Sequence, residues 1–507
     1  MSQIARPREG NQIGGASPVP VTVTMTAKKR WIPVASQVMY NDSVINNTAG
    51  GSETGTIHRA KFTPYASFSR LALAMCNVGT RTGIGEILAA GAAGNYDDIR
   101  KAANKFQASA EKNGANAGAF TWRGITQPCM TDAWVLSAPL AVSLVTSDTF
   151  WVRTGIHKFD TTINSQTVPS RGLNRYGSAN AQRNTITSSV DTWVTGTATT
   201  SSNDCHSGII YGEVADATLN AALIEGDSLG YGFAGGWWVT SVQGTNPLSN
   251  TVDGATSDIE FALYRVGDSS NGVVYKNNAE SNSAIWQWVP QSSFTLSGNP
   301  VLDPGRHTAR WRESETIGFT DNFISLWTNE FANFNSGWNE TPWMAGMEEM
   351  ARYLIKRNQN LLRRTWFVVD PIQTTWTGGG TYCDTALSDS AFLDAQTPNQ
   401  NTVPTGNVTA LHERFVAMLD RVCKELGSAW VYNRARFYQA KNVRGEYAFK
   451  KAPDGVGGFF TPVVETSGIL THPGHRNVVI CGADMMTYFP TKNKVSGWPA
   501  FGLVNPF

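Results

Sequence analysis

The sequence predicts a chain of two units: an all-β antiparallel sandwich or jelly roll, followed by an α/β unit built on a parallel sheet flanked by helices. Three observations predict it. Residues 31–205 consist of short β-prone runs separated by Gly, Asn, Ser and Thr, the texture of an antiparallel sandwich. Beyond about residue 206 the texture changes to short apolar strands alternating with amphipathic helical stretches, which predicts strand–helix–strand units and parallel pairing. The chain is also long enough for both: 507 residues, at roughly 150 per domain, make room for two or three cores.

Residues 1–30 are polar, carry several prolines and end in Lys28-Lys29-Arg30, which predicts an arm whose order depends on a neighbour. In the β-rich unit, 31–205, the runs 68–78, 134–145 and 149–159 read as strands. The stretch 96–112 is rich in Ala, Lys and Gln and predicts a helix in a connection. No solenoid-type repeat is present. In the second unit, 206–507, a helix is expected from Thr341, with Pro342 at its first position, where a missing N–H costs nothing. Its Met344, Met347, Ala351 and Leu354 fall at spacings of three and four and so share one face. A strand at 365–369 follows. A second helix at 409–426 puts Leu411, Phe415, Leu419, Cys423 and Leu426 on one face, and a strand at 429–432 comes next.

Composition narrows the function classes. With 41 Lys+Arg against 40 Asp+Glu, the net charge of +1 gives no electrostatic reason to expect a nucleic acid partner. Only 16% of residues are charged and 41% are apolar, as in a folded chain. No run approaches the roughly 18–20 apolar residues of a membrane span, so a soluble chain is expected. The N-terminal segment lacks the apolar core of a secretion signal, which implies a cytoplasmic protein or exit by another route. Six scattered cysteines without a CxxC pair, and 7 histidines, point away from a zinc ribbon or a disulfide scaffold. The 48 glycines and 17 tryptophans, with abundant Ser, Thr and Asn, resemble an extracellular or virion-exposed protein that faces carbohydrate.

One segment carries chemistry. An apolar run at 222–224 leads into Glu225-Gly226-Asp227-Ser228-Leu229-Gly230. A serine just after a strand, in a glycine-flanked turn, presents its hydroxyl at the sheet edge beside a helix end whose dipole favours developing negative charge. A second Gly-Asp-Ser, at Gly267-Asp268-Ser269, lies in IEFALYRVGDSSNGVVY and reads as a hairpin turn between two strands. Ser228 is the stronger candidate, because Leu229 and a glycine-rich stretch follow it.

Gly226-Asp227-Ser228-Leu229 resembles the nucleophile block of the GDSL or SGNH hydrolase family. Two further blocks follow in that family's order. Trp327-Thr328-Asn329-Glu330 closes the apolar strand FISL where the family has Gly-x-Asn-Asp, so Asn329 matches the oxyanion-binding asparagine while Trp327 and Glu330 replace glycine and aspartate. His472-Pro473, leading into a helix-like run, matches the block that carries the general base, with His475 as the competing candidate. The family's aspartate three residues before the histidine is Ile469 here. The imidazole would then be oriented by Glu465, by another carboxylate brought in by the fold, or by a backbone carbonyl. For the family's oxyanion glycine, the strand-then-loop run 273–283 aligns Asn282, and Gly254 is the alternative.

The resemblance spans about residues 215–490 and implies a flavodoxin-like parallel sheet. It also implies a serine esterase that needs no cofactor or metal. The expected reaction is removal of a small acyl group, O-acetyl above all, from a polysaccharide. The arm, the β-rich module and the missing secretion signal suggest a bacteriophage tail or other virion component, hence a virion or extracellular location. Its expected partners are a host surface polysaccharide, other virion proteins and further copies of itself. Two rivals remain open: a virion structural or receptor-binding protein that kept the fold without activity, and an ordinary bacterial lipase or esterase.

Overall fold

The computed structural model of the chain describes residues 30–36, 45–47, 55–62, 67–76, 78–81, 85–88, 104–124, 129–130, 134–158, 166–168, 171–172, 181–186, 200–201, 204–205, 208–214, 219–232, 257–264, 273–279, 284–289, 318–332, 340–376, 388–398, 407–450, 469–470 and 475–488. The first unit is built from β1 (Arg30–Ser36), β2 (Gly55–Phe62), β3 (Leu71–Cys76), β4 (Asn104–Lys112), β5 (Ala115–Ala119), β6 (Trp134–Leu136), β7 (Phe150–Lys158), β8 (Ala181–Ile186) and β9 (Gly208–Val214). One sheet has the order β1-β9-β3-β6; the other runs β8-β2-β7-β4-β5, with short strands at its margins. The pairs within these orders are antiparallel. Trp31, Leu73, Ala108, Ala110, Phe150, Val152 and Ile210 share one core between the sheets.

Two expectations for this unit change. The stretch 104–112 is strand, not helix, because every second residue has a use in the sandwich: Ala108 and Ala110 are buried in the core while Gln107 and Ser109 are only half-buried. Cross-strand packing outweighs the helix propensity of Ala and Lys. The described part of 96–112 begins at Asn104. Strand β9 lies beyond the expected boundary at residue 205, yet it is hydrogen-bonded between β1 and β3. The β-rich unit therefore runs on to Val214.

The second unit carries β10 (Ala221–Gly226), β11 (Val274–Asn277), β12 (Asp321–Leu326), β13 (Arg364–Val369) and β14 (Ala429–Asn433) in one parallel sheet of order β11-β10-β12-β13-β14. All residues of β10, β12 and β13 are buried, as expected for parallel strands covered on both faces. Its helices are α1 (Ser228–Tyr231), α2 (Asp258–Tyr264), α3 (Thr328–Ala332), α4 (Glu340–Asn360), α5 (Val408–Leu426), α6 (Arg434–Tyr438) and α7 (His475–Met485). The start of α4 precedes the expected Thr341 by one residue, within the usual raggedness of helix ends. Met347, Ala351 and Leu354 of α4 and Leu411, Phe415, Leu419 and Cys423 of α5 form the expected stripes over Ile324, Leu326, Phe367 and Val369. Each such aliphatic or aromatic side chain contributes roughly 1.5–3 kcal/mol by leaving water.

Helices α2 and α7 cover the opposite face, with Ile259, Ala262 and Cys481 packed on Ala222, Ile224 and Phe323. This corrects the reading of IEFALYR as a hairpin strand. Ser257 Oγ accepts from Glu260 N at 3.2 Å and Glu260 Oε2 accepts from Ser257 N at 3.0 Å, a reciprocal capping box that starts a helix.

Over β10 and β11, the face that α4 and α5 cover elsewhere is occupied by the sandwich. Ala221, Leu223, Val274 and Phe319 belong to the same core as Trp31, Ile209 and Tyr211. Consecutive residues Leu71–Met75 and Ile209–Tyr211 are all buried, so the four-stranded sheet is covered on both sides and forms a middle layer. Among the described residues no helix is long and apolar enough to cross a membrane.

Candidate active site

Numbered along the chain, the parallel sheet has the order 2-1-3-4-5, and strand order reverses between β10 and β12. Crevices that bind ligands in such sheets form outside the carboxyl ends of the strands at this reversal. Ser228 and Asn329 both lie there. Gly226 of β10 pairs with Ser325 of β12; Ser228 opens α1 two residues beyond the one, and Asn329 sits in α3 four residues beyond the other.

The turn into Ser228 is built by close approach. Gly226 has φ +128°, and a β-carbon there would lie 2.2 Å from the Ser325 carbonyl oxygen. Asp227 is the N-cap of α1: its Oδ1 accepts from Leu229 N at 2.9 Å and from Gly230 N at 3.4 Å. Gly230 in turn fits against Ser325, where a β-carbon would come within 2.8 Å of Cβ. Strand β11 is tied to the same helix, since Asn277 Nδ2 donates to Gly230 O and to Glu260 Oε1, each at 3.0 Å. Ser228 itself is buried at 5% exposure.

Asn329 is half-buried, unlike its neighbours. Trp327, at the position of the family's glycine, has φ +121°, a backbone conformation that glycine adopts freely and other residues do not. Its indole is held by Phe331 at 5.0 Å, His412 at 4.6 Å and Phe415 at 5.2 Å between ring centroids. Glu330 reaches back to accept from Trp327 N at 2.7 Å, a capping contact for α3, and its other oxygen accepts from Ile285 N. Burial, reinforced by the charge of Asp227, raises the Glu330 carboxyl to about 8. Burial lowers His412 to about 4, and its Nε2 bonds the Asp370 carbonyl oxygen at 2.9 Å.

Beneath the Ser228 turn lies a fully buried polar network that sequence reading missed. Ser325 Oγ is 3.2 Å from Asp227 Oδ1 and 2.9 Å from Asp370 Oδ1. Arg434 donates through Nη1 to Asp370 Oδ1 at 2.6 Å and to Ser325 Oγ at 3.0 Å, and through Nη2 to Asp258 Oδ1 at 2.7 Å. Tyr438 OH donates to Asp258 Oδ2 at 2.9 Å. Burial and the neighbouring Asp227 hold the Asp370 carboxyl well above the usual carboxylate range. A signal for Asp370 existed: a lone carboxylate directly after TWFVV, at the carboxyl end of a strand.

His472, Glu465, Asn282, Gly254 and Ser269 lie outside the described residues. Ile469 does not: it pairs with Thr375, and Leu470 with Thr374, just past the carboxyl end of β13, while His475 is the first residue of α7. Gly482 seats α7 on α2, where a β-carbon would come within 2.6 Å of Phe261 Cβ. Among the described residues no group of three or more His, Cys, Asp or Glu side chains is arranged to hold a metal ion.

Compared with known proteins, the sequence matches no family model and no curated protein. Solved structures to which it is similar include a carbohydrate esterase family 2 enzyme with a carbohydrate binding domain from Corynascus thermopiles (Myceliophthora fergusii). That likeness has 12% identity and a TM-score of 0.29, and covers 91% of this chain and 98% of that one. A family two carbohydrate esterase from Clostridium thermocellum has 11% identity and a TM-score of 0.29, covering 86% and 91%. An acetyl xylan esterase from Geobacillus stearothermophilus has 12% identity and a TM-score of 0.27, covering 53% and 96%. Scores of this size carry no argument about activity, which rests on the chain's own residues.

Proposed function

We propose that the chain is a serine esterase of the SGNH type that removes small acyl groups, O-acetyl above all, from a polysaccharide. One observation carries the reading: Ser228 begins a capped helix at the strand-order reversal of a 2-1-3-4-5 parallel sheet, with Asn329 beyond the adjacent strand. In this reading Ser228 attacks the ester carbonyl and His472 takes its proton. Asn329 and the Ser228 N–H stabilise the tetrahedral oxyanion, with a further donor from the loop after β11 at Asn282 or, alternatively, from Gly254 ahead of α2. His472 passes the proton to the departing sugar oxygen, and water then releases the acyl group. Leu470, two residues before His472 in the sequence, pairs with Thr374 beyond the carboxyl end of β13, which supports the choice of this block.

The left-handed backbone of Trp327 also favours an active enzyme over an inactive relative, because it keeps the conformation that the replaced glycine would supply. The first unit is read as a jelly roll, supported by a chain that crosses between its two sheets at six of the eight steps from β1 to β9. Its role, with the arm, is attachment within a bacteriophage tail or virion, where copies of the chain assemble and trim a host surface polysaccharide. The composition and the β-rich module support that setting.

The test is hydrolysis of p-nitrophenyl acetate and of an acetylated polysaccharide by the wild type, Ser228→Ala and Ser269→Ala. Turnover lost only with Ser228 is the expected result. Equal rates for wild type and Ser228→Ala on both substrates would leave a structural protein with a hydrolase fold as the better reading.

A further inference from the structure

Asp227 has one oxygen occupied as the cap of α1, and its Oδ2 is buried without a hydrogen-bond partner among the described residues; the same holds for Asp370 Oδ2. Both carboxyls sit against one hydroxyl, since Ser325 Oγ lies 3.2 Å from Asp227 Oδ1 and 2.9 Å from Asp370 Oδ1. Two buried carboxylates held against one hydroxyl repel each other, and a proton on Asp370 relieves that repulsion. We propose that Asp370 and Arg434 are positioning residues for Ser228: Asp370 donates a shared proton to Asp227 Oδ2, and Arg434 holds Asp370 from the far side, so that Asp227 Oδ1 stays fixed on the helix that Ser228 begins. The functional part of this rests on the reading of Ser228 as the nucleophile.

The network supports a single proton at this place. Asp370 Oδ1 already accepts from Arg434, and Ser325 Oγ, with one hydrogen to give, stands between the two aspartates. Asp258, on α2, takes the other arm of Arg434 and the Tyr438 hydroxyl, so that one cation serves two carboxyls from α6. The remaining groups that face the pair are accounted for. From α3, Glu330 lies near enough to Asp227 to feel its charge; from α5, His412 touches only the Asp370 carbonyl oxygen; from α7, the Cys481 thiol lies beside Asp258 and Arg434. None of these is bonded to either Oδ2 atom.

The shared proton is bound in the folded chain and released on unfolding above the ordinary carboxylate range, so it stabilises at low pH and its contribution falls as pH rises. In Asp370→Asn the amide replaces the O–H donor and does not titrate. The experiment follows the urea midpoint against pH for wild type and Asp370→Asn, with amide hydrogen exchange across residues 226–232. A smaller alkaline decline in the variant is expected, with protection at Leu229 and Gly230 kept in Asp370→Asn and lost in Asp370→Ala. Superimposable pH profiles would overturn the shared proton, and unchanged protection in Asp370→Ala would overturn the positioning role.

If Asp370→Asn does not fold, infrared spectroscopy of Glu330→Gln decides: with the other raised carboxyl removed, a carboxylic-acid band must persist at neutral pH, and its absence sinks the proposal. These measurements need no substrate, so they stand even if no ester is hydrolysed. Where an ester is hydrolysed, Asp370→Ala should lower kcat with KM little changed, and Asp370→Asn should recover part of the loss.

Discussion

Gly226 and Ser325 meet backbone against backbone at the carboxyl ends of β10 and β12, so close that a β-carbon on Gly226 would sit 2.2 Å from the Ser325 carbonyl oxygen. Ser325 is also the hub between Asp227 and Asp370. Gly226→Ala therefore has no flexible neighbour to push aside, and it carries strain at φ +128° as well. The left-handed strain alone costs about 1–3 kcal/mol. The expected outcome is a lower melting temperature and loss of ester hydrolysis, read by calorimetry and p-nitrophenyl acetate turnover; a fully stable, fully active variant would contradict the packing described.

Trp327 sets two effects against each other. Removing its ring from among Phe331, His412 and Phe415 costs about 3–5 kcal/mol, whereas its positive φ costs about 1–3 kcal/mol that glycine does not bear. Packing outweighs strain, so both Trp327→Gly and Trp327→Ala should be less stable than wild type. Glycine should be the better of the two, a ranking opposite to that of an ordinary helix or strand position. Denaturant midpoints of the two variants check the order.

Glu330 predicts a slope of stability against pH. Its folded value, about 8, lies above its ordinary value of 4.5 because burial and Asp227 disfavour the charge. Unfolding then releases a proton between those values. The Glu330 contribution is complete below about pH 4.5 and is lost as pH rises to about 8, with an upper bound of roughly 5 kcal/mol over the window. Glu330→Gln should flatten this decline in urea midpoints between those pH values. A profile as steep as that of the wild type would show that Glu330 is already ionised in the folded chain.

Gly482 offers a test of the role proposed for His472. Helix α7 follows His472 within a few residues and rests on α2 at Gly482, with Phe261 Cβ and the Asp258 carbonyl oxygen on the far side. If His472 is the base as proposed, Gly482→Val should shift α7 and so lower kcat more than it raises KM for an acetyl ester, because it disturbs the proposed base and not the acyl site. Equal effects on both constants would argue against this coupling.

Local pattern made the α/β unit readable. Strands β12, β13 and β14 and helices α4 and α5 announce themselves because each is a continuous apolar run or a stripe of period near 3.6. The Ser228 turn was legible for the same reason, a glycine-flanked polar turn after an apolar strand. What failed depended on distant partners. Ala108 and Ala110 have strand conformation only because a second sheet buries them, and β9 belongs to the first unit only through pairing with β1, far away in sequence. The capping box at Ser257 and Glu260 is a local signal for α2 that the hairpin reading of the segment does not use. Asp370, Arg434 and Asp258 come from three separate elements, and nothing local in the sequence marks their convergence.

The covering of β10 and β11 by the sandwich decides what deletion of residues 1–205 will do. An esterase whose N-terminal module is merely attached would keep its activity without it. Here the deletion removes β1, β3 and the whole sheet β8-β2-β7-β4-β5, strips β9 of its partners and opens Ala221, Leu223, Val274 and Phe319 to water. Pro33 of β1 also lies against Gly318, where a β-carbon would come within 3.2 Å of its Cδ, so the approach to β12 loses a neighbour too. Leu223, Val274 and Phe319 each lose roughly 1.5–3 kcal/mol on exposure, a loss of the same order as the roughly 5–15 kcal/mol by which folded domains are ordinarily stable, and the strand pairing of β9 is lost as well. The expected product is an aggregated or unfolded fragment by size-exclusion chromatography and circular dichroism. A monodisperse, active fragment of residues 206–507 would show that the sandwich is a passenger and that the parallel sheet holds its nucleophile turn alone.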